Sequence, residues 1–110
     1  SLCVKTKRLE RIMEELHHIA LPVNDIGKAV NWYEKNFDVS KVYEDESWAL
    51  LAFENISLAL VLPGQHPAHI AVTRENAEKH GKLTKHRDGS SSVYVTDPWG
   101  NAVEYLKSVP

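Results

Sequence analysis

The feature that most constrains this chain is a four-residue echo. "HIAL" at 18–21 returns as "HIAV" at 69–72, and each copy lies in the strand that precedes a helix-like segment. The order of elements around the two copies is also the same. "HIALPV" reads as a strand ending near Pro22, which suits an edge or a strand terminus. "NDIGKAVNWYEKNF" reads as a helix, with Asp25 as N-cap and Ile26, Ala29, Val30, Tyr33 and Phe37 as one apolar stripe. "VSKVYED", "SWALLAFE" and "ISLALVLP" read as three further strands. After the "PGQHP" turn the pattern restarts with strand "HPAHIAVT" and a short helix in "RENAEKHG" capped at Gly81. Strands "KLTKHRD", "SSSVYVTD" and "NAVEYLK" follow. A chain that runs β-α-β-β-β twice predicts an α+β domain of two βαβββ modules, at 16–64 and 65–110. Residues 1–15 form a leader, where Leu9, Ile12, Met13 and Leu16 predict an amphipathic helix over about residues 5–16.

Strand alternation then assigns faces. Ile19, Leu21 and Val23 point towards the helix, and His18 and Ala20 point away. In the second copy Ile70 and Val72 take the helix side, and His69, Ala71 and Thr73 the other. His18 and His69 are therefore equivalent. His17 falls on the helix side or at the rim, so at most one member of the His17–His18 pair shares the site. His17→Ala is expected to cost little metal binding.

A third polar residue comes from "DPWGN" at 97–101, a strong hairpin turn in which Pro98 presets φ and Gly100 can take the left-handed conformation. A Pro98–Trp99–Gly100 loop sets Tyr94 opposite Glu104 and Thr96 opposite Ala102. One face then carries Tyr94, Thr96, Glu104, Ala102 and Leu106. A carboxylate among apolar neighbours is costly unless it is paired or bound to metal. Its partners on this reading are His18 and His69. Two imidazoles and one carboxylate bind a divalent transition metal while leaving coordination positions open, as a catalytic ion needs.

Bulk properties narrow the alternatives. The 110 residues carry a net charge of −2, which gives no electrostatic reason to expect nucleic acid or an anionic membrane. No apolar run approaches the roughly 20 residues that span a bilayer. With Cys3 as the one cysteine no internal disulfide can form. These readings predict a cytoplasmic, single-domain protein.

The stretches "HHIALPVNDIGKAVNWYEKNF", "AHIAV" and "SVYVTDPWGNAVEY" resemble the vicinal-oxygen-chelate superfamily over about residues 16–108. That group includes glyoxalase I, methylmalonyl-CoA epimerase, fosfomycin-resistance and bleomycin-resistance proteins and extradiol dioxygenases. The resemblance implies curved mixed sheets around a metal cavity, often within a homodimer, with His18, His69 and Glu104 on three ligand positions. The fourth family position falls at or near Ala59, which offers no ligand; this departs from the four-ligand pattern of glyoxalase I. The chain also ends before the basic residues with which fosfomycin-resistance proteins usually continue.

The expected cofactor is thus a divalent ion (Mn, Zn, Ni, Co or Fe), and the expected chemistry that of a lyase, isomerase or transferase acting on a small substrate through two neighbouring oxygens. An Fe(II) extradiol-type dioxygenase and a non-catalytic drug-binding protein are the alternatives. Glu104 and Tyr94 are the catalytic candidates. Trp48, Tyr94 and Arg87 are candidate substrate contacts, with Lys85 beside Arg87 as a second cation for an anionic group. Trp99 is expected at the cavity wall or a dimer contact. His66, His80 and His86 read as surface residues.

Overall fold

The computed structural model describes residues 13–86 and 89–108. Its strands are β1 (Leu16–Pro22), β2 (Ser40–Glu44), β3 (Trp48–Ala52), β4 (Ser57–Val61), β5 (His69–Thr73), β6 (Thr84–Lys85), β7 (Ser91–Thr96) and β8 (Ala102–Lys107); α1 is Ile26–Asn36. The strands form one curved mixed sheet in the order β2-β3-β4-β1-β5-β8-β7-β6. β1 pairs parallel with β4 and β5 parallel with β8, while β1 and β5 meet antiparallel at the centre. The order is palindromic: from either edge inward come the second, third, fourth and first strands of each half.

The helix begins where the sequence indicates. The Asp25 carboxylate accepts the backbone N–H of Lys28 at 3.0 Å, satisfying one of the orphan donors of the first turn. Ile26 and Val30 point inward against Ala49, Leu51, Leu58 and Leu60, and this cluster is the main core. Leu51 and Leu60 are fully buried, and each contributes about 1.5–3 kcal/mol by leaving water. On the other face of the same strands Ala59 and Val61 join Ala20, with Trp48 and Leu50 packed on them. The two clusters alternate residue by residue along β3 and β4, because successive side chains of a strand point to opposite faces.

Several expectations change. Ile19 and Leu21 do keep to the face opposite Ala20, yet they stay 37% and 39% exposed. The reason is that α1 packs over β2, β3 and β4 and leaves β1 uncovered. Pro22 ends β1, so of the two alternatives it marks a strand terminus, and β1 itself is a central strand. The short helix expected in "RENAEKHG" is a single 3-10 turn, Ala77–His80, since four residues leave too few i→i−4 bonds to offset nucleation. "KLTKHRD" contributes only the two-residue strand β6. Most of the leader helix lies outside the described residues. Of its expected span, residues 13–15 carry no helix and Leu16 already belongs to β1.

The largest departure is at the start of β1. The register with β5 shifts between Leu16, opposite Val72, and His18, opposite Ala71. Two residues of β1 thus face one interval of β5, which is a β-bulge. The inserted residue is His17.

Candidate functional site

The concave face is built in rows. Across β1, β5, β8 and β7 one row runs His18, Ala71, Glu104, Tyr94; the next runs Ala20, His69, Ala102, Thr96. His18 and Glu104 thus flank Ala71, and His69 stands one row along. Ala71 and Ala20 are 0% and 1% exposed and form the floor. Side chains this small leave the space above them to the three polar groups. The hairpin that carries Glu104 is pinned by Asp97. Its carboxylate accepts the backbone N–H of Trp99 and Asn101 and the Asn101 amide, and Gly100 takes φ +86°.

The three groups converge. His69 Nε2 lies 3.2 Å and His18 Nε2 3.3 Å from Glu104 Oε1, and the two Nε2 atoms are 3.3 Å apart. Donors bound tetrahedrally to one ion at roughly 2.0–2.1 Å stand about 3.3–3.4 Å from one another. The triangle therefore has the size of one face of a coordination tetrahedron, and its donor set of two imidazoles and a carboxylate fits a divalent transition metal. His69 Nδ1 donates to the Pro67 carbonyl at 2.8 Å, which leaves Nε2 to face the cavity. Ala59 lies on β4 beside Ala20 and adds a methyl group to the cavity wall.

Electrostatics follow from burial and these bonds. Burial of Glu104, 4% exposed, would raise its pKa, but hydrogen bonds from His18, His69, His86 and Ser92 hold the carboxyl well below the usual carboxylate range. For His69 burial acts downward, yet the Glu104 hydrogen bond, the Pro67 carbonyl and the Glu104 charge prevail, so its pKa is raised. Burial, then the Glu104 charge and hydrogen bond, push the Tyr94 hydroxyl above the ordinary phenol range. Its oxygen is 3.4 Å from His69 Nε2.

The surrounding cavity has a volume of about 330 Å³, within the range of small-molecule sites. Trp48, Leu50, Ala59, Val61 and Leu106 make an apolar wall; His17, His66, Lys85, His86 and Tyr94 make a polar one. Of the sequence-derived candidates, His18, His69, Glu104, Tyr94, Trp48 and Lys85 all come together here. Arg87 lies outside the described residues. Trp99 is not in the cavity: it stands 82% exposed at the turn tip.

Three histidines read as surface or rim belong to this wall. His17 enters through the bulge, and His66 through the turn after β4. His86 Nε2 bonds Ser92 Oγ at 2.7 Å and is 3.6 Å from Glu104 Oε2. The β6–β7 pairing carries His86 there: Thr84 pairs with Ser92 and the His86 N–H donates to the Ser90 carbonyl. His80 stays outside, its ring tilted against Tyr105, over whose face Arg74 lies.

A larger, shallower depression of about 600 Å³ lies beside the start of α1. Three of its four carboxylates serve local structure: Asp25 caps the helix, Glu44 pairs with Lys41, and Asp45 accepts from Ser47 and the Trp48 N–H.

The fold and the cavity define a class, an α+β protein whose curved sheet encloses a histidine–carboxylate cluster. The chain belongs to the Glyoxalase/Bleomycin resistance protein/Dioxygenase superfamily, whose family model matches residues 15–105. Solved structures agree on the fold. A methylmalonyl-CoA epimerase from Mycobacterium tuberculosis is 17% identical with a TM-score of 0.66, covering 87% of this chain and 89% of that one. A hypothetical protein from Bacillus halodurans C-125 is 12% identical with a TM-score of 0.68, covering 88% and 96%. A superfamily member from Vibrio splendidus 12B01 is 10% identical with a TM-score of 0.62, covering 88% and 100%. A search of curated proteins returns no significant match. Among the described residues no helix is long and apolar enough to cross a membrane.

Proposed function

We propose that this protein is a metal-dependent enzyme acting on a small oxygenated molecule, with His18, His69 and Glu104 as the protein ligands. The observation that carries the reading is the triangle of 3.2–3.3 Å between three ligand atoms of the required chemistry. A divalent ion held by these three residues would supply a Lewis acid for the substrate's oxygens. The chain's own groups divide the remaining work. Tyr94, kept as a phenol, donates a hydrogen bond beside the ligands. Trp48, Leu50 and Val61 receive the apolar body of the substrate and exclude water, and Lys85 attracts an anionic group. Lyase, isomerase or transferase chemistry fits these parts. We read the two halves as repeats of one βαβββ unit and the assembly as a homodimer.

The test is metal content after purification without chelator, repeated on His69→Ala. The parent should carry close to one ion per chain and the variant far less; a parent without metal refutes the proposal. The absence of a ligand side chain at Ala59 leaves a two-histidine, one-carboxylate set that also suits Fe(II) and O₂. Oxygen uptake with a catechol and ferrous iron separates that second reading from the first.

A further inference from the structure

The bulge in β1 turns two consecutive imidazoles to one face. Their rings meet edge to face with centroids 5.1 Å apart, and His17 Nδ1 lies 2.9 Å from His18 Nδ1. A contact of that length between ring nitrogens holds one proton between them. The other nitrogen of His18 decides its direction. Nε2 faces Glu104 and His69, and a neutral imidazole that ligates through Nε2 carries its proton on Nδ1. In the metal-loaded site His18 would therefore donate from Nδ1 and His17 accept, with the His17 proton on Nε2; in the metal-free protein the His18 Nε2–H donates to Glu104 instead.

We propose that His17 is a positioning residue of the metal centre, its Nδ1 holding the Nδ1–H of His18 and so fixing the ring angle and tautomer in which Nε2 can ligate. The inference rests on the metal reading above. His69 obtains the same support from the Pro67 carbonyl at 2.8 Å. The residue before His69 is Ala68, so the second copy of the repeat has no such pair. A side chain delivered by the bulge does for His18 what a backbone carbonyl does for His69. Partners of this kind set ligand orientation and basicity, and losing one weakens metal binding roughly 10–100-fold.

The experiment uses ¹⁵N-labelled protein loaded with zinc. Long-range ¹H–¹⁵N spectra should show His18 protonated on Nδ1 and metal-bound on Nε2, with a scalar coupling across the hydrogen bond to His17 Nδ1. By chelator competition His17→Leu should bind zinc roughly 10–100-fold more weakly, while His17→Asn, whose Oδ1 can accept, should stay within about threefold of the parent. A parent that takes up no zinc removes the metal reading itself. A zinc-loaded parent with His18 Nδ1 bare overturns this inference alone, whether or not the leucine variant folds. So does a folded His17→Leu with parental affinity. Loss of zinc from the asparagine and leucine variants alike would make His17 a ligand, and also overturns it.

Discussion

Replacing Glu104 with glutamine keeps the size of the side chain and removes its charge, and the site's geometry says what should follow. In the metal-free protein Oε1 faces two imidazoles at 3.2 and 3.3 Å. The same atom supplies the anionic corner of the ligand triangle. Four-ligand zinc sites are worth about 10–16 kcal/mol, or roughly 2.5–4 kcal/mol for each ligand. At about 1.4 kcal/mol per tenfold, Glu104→Gln should weaken zinc binding by roughly two to three orders of magnitude near pH 7.5. Glu104 also holds the pKa of His69 up, and zinc must displace that proton. Parental affinity should therefore decline as pH falls through the raised His69 pKa, whereas in the variant the decline begins at lower pH. The gap between the two proteins narrows on acidification. Folding stability has the opposite sense. The His69⁺–Glu104 contribution is fully present below the ordinary histidine pKa of about 6.5 and is lost as pH rises through the raised value. In metal-free protein Glu104→Gln should thus be more destabilising at pH 5.5 than at pH 9. Chelator-competition titrations over that range and denaturant melts of the apo proteins provide both readings. Equal zinc affinity of parent and variant, or a gap that widens in acid, would refute the reasoning.

Other perturbations separate the parts of the site from the parts of the fold. Ser92→Ala removes the buried hydroxyl that bonds His86 and Glu104; zinc affinity measured by competition should drop roughly tenfold or more, less than for Glu104→Gln. Tyr94 should resist ionisation in alkali, because burial and the Glu104 charge both oppose the phenolate. An alkaline absorbance titration of the parent should show a late-titrating component that is missing from Tyr94→Phe. Leu51→Ala empties a fully buried position under α1 and should cost about 2–5 kcal/mol in urea melts. That is a large share of the roughly 5–15 kcal/mol that holds a domain together.

Much of this site was legible because strands obey a simple parity. The repeat set His18 and His69 on one face, and counting back across "DPWGN" set Tyr94 opposite Glu104, as the register has it. What escaped were features that parity does not encode. The bulge at His17 carries no glycine or other mark in the sequence, and without it His17 would face away. His66 sits in a turn, where no alternation applies. His86 lies just past a strand of two residues, too short to announce its own faces. On the helix side, alternation gave the right direction for Ile19 and Leu21 but not their exposure, since which strands a helix covers is a matter of tertiary packing.

The alanine at position 59 has a consequence for how this site could change. It lines the same cavity as the histidine–carboxylate cluster, one strand from Ala20 and in the row that leads to His69. Alanine and glutamate codons can differ by a single base. One point mutation there would set a second carboxylate beside the cluster with the backbone left as it is. On the proposed metal reading, the number of protein ligands is therefore a heritable variable with a very short mutational path. A lineage could pass between three and four protein ligands, and so between more and fewer open positions for substrate, without crossing an unfolded intermediate.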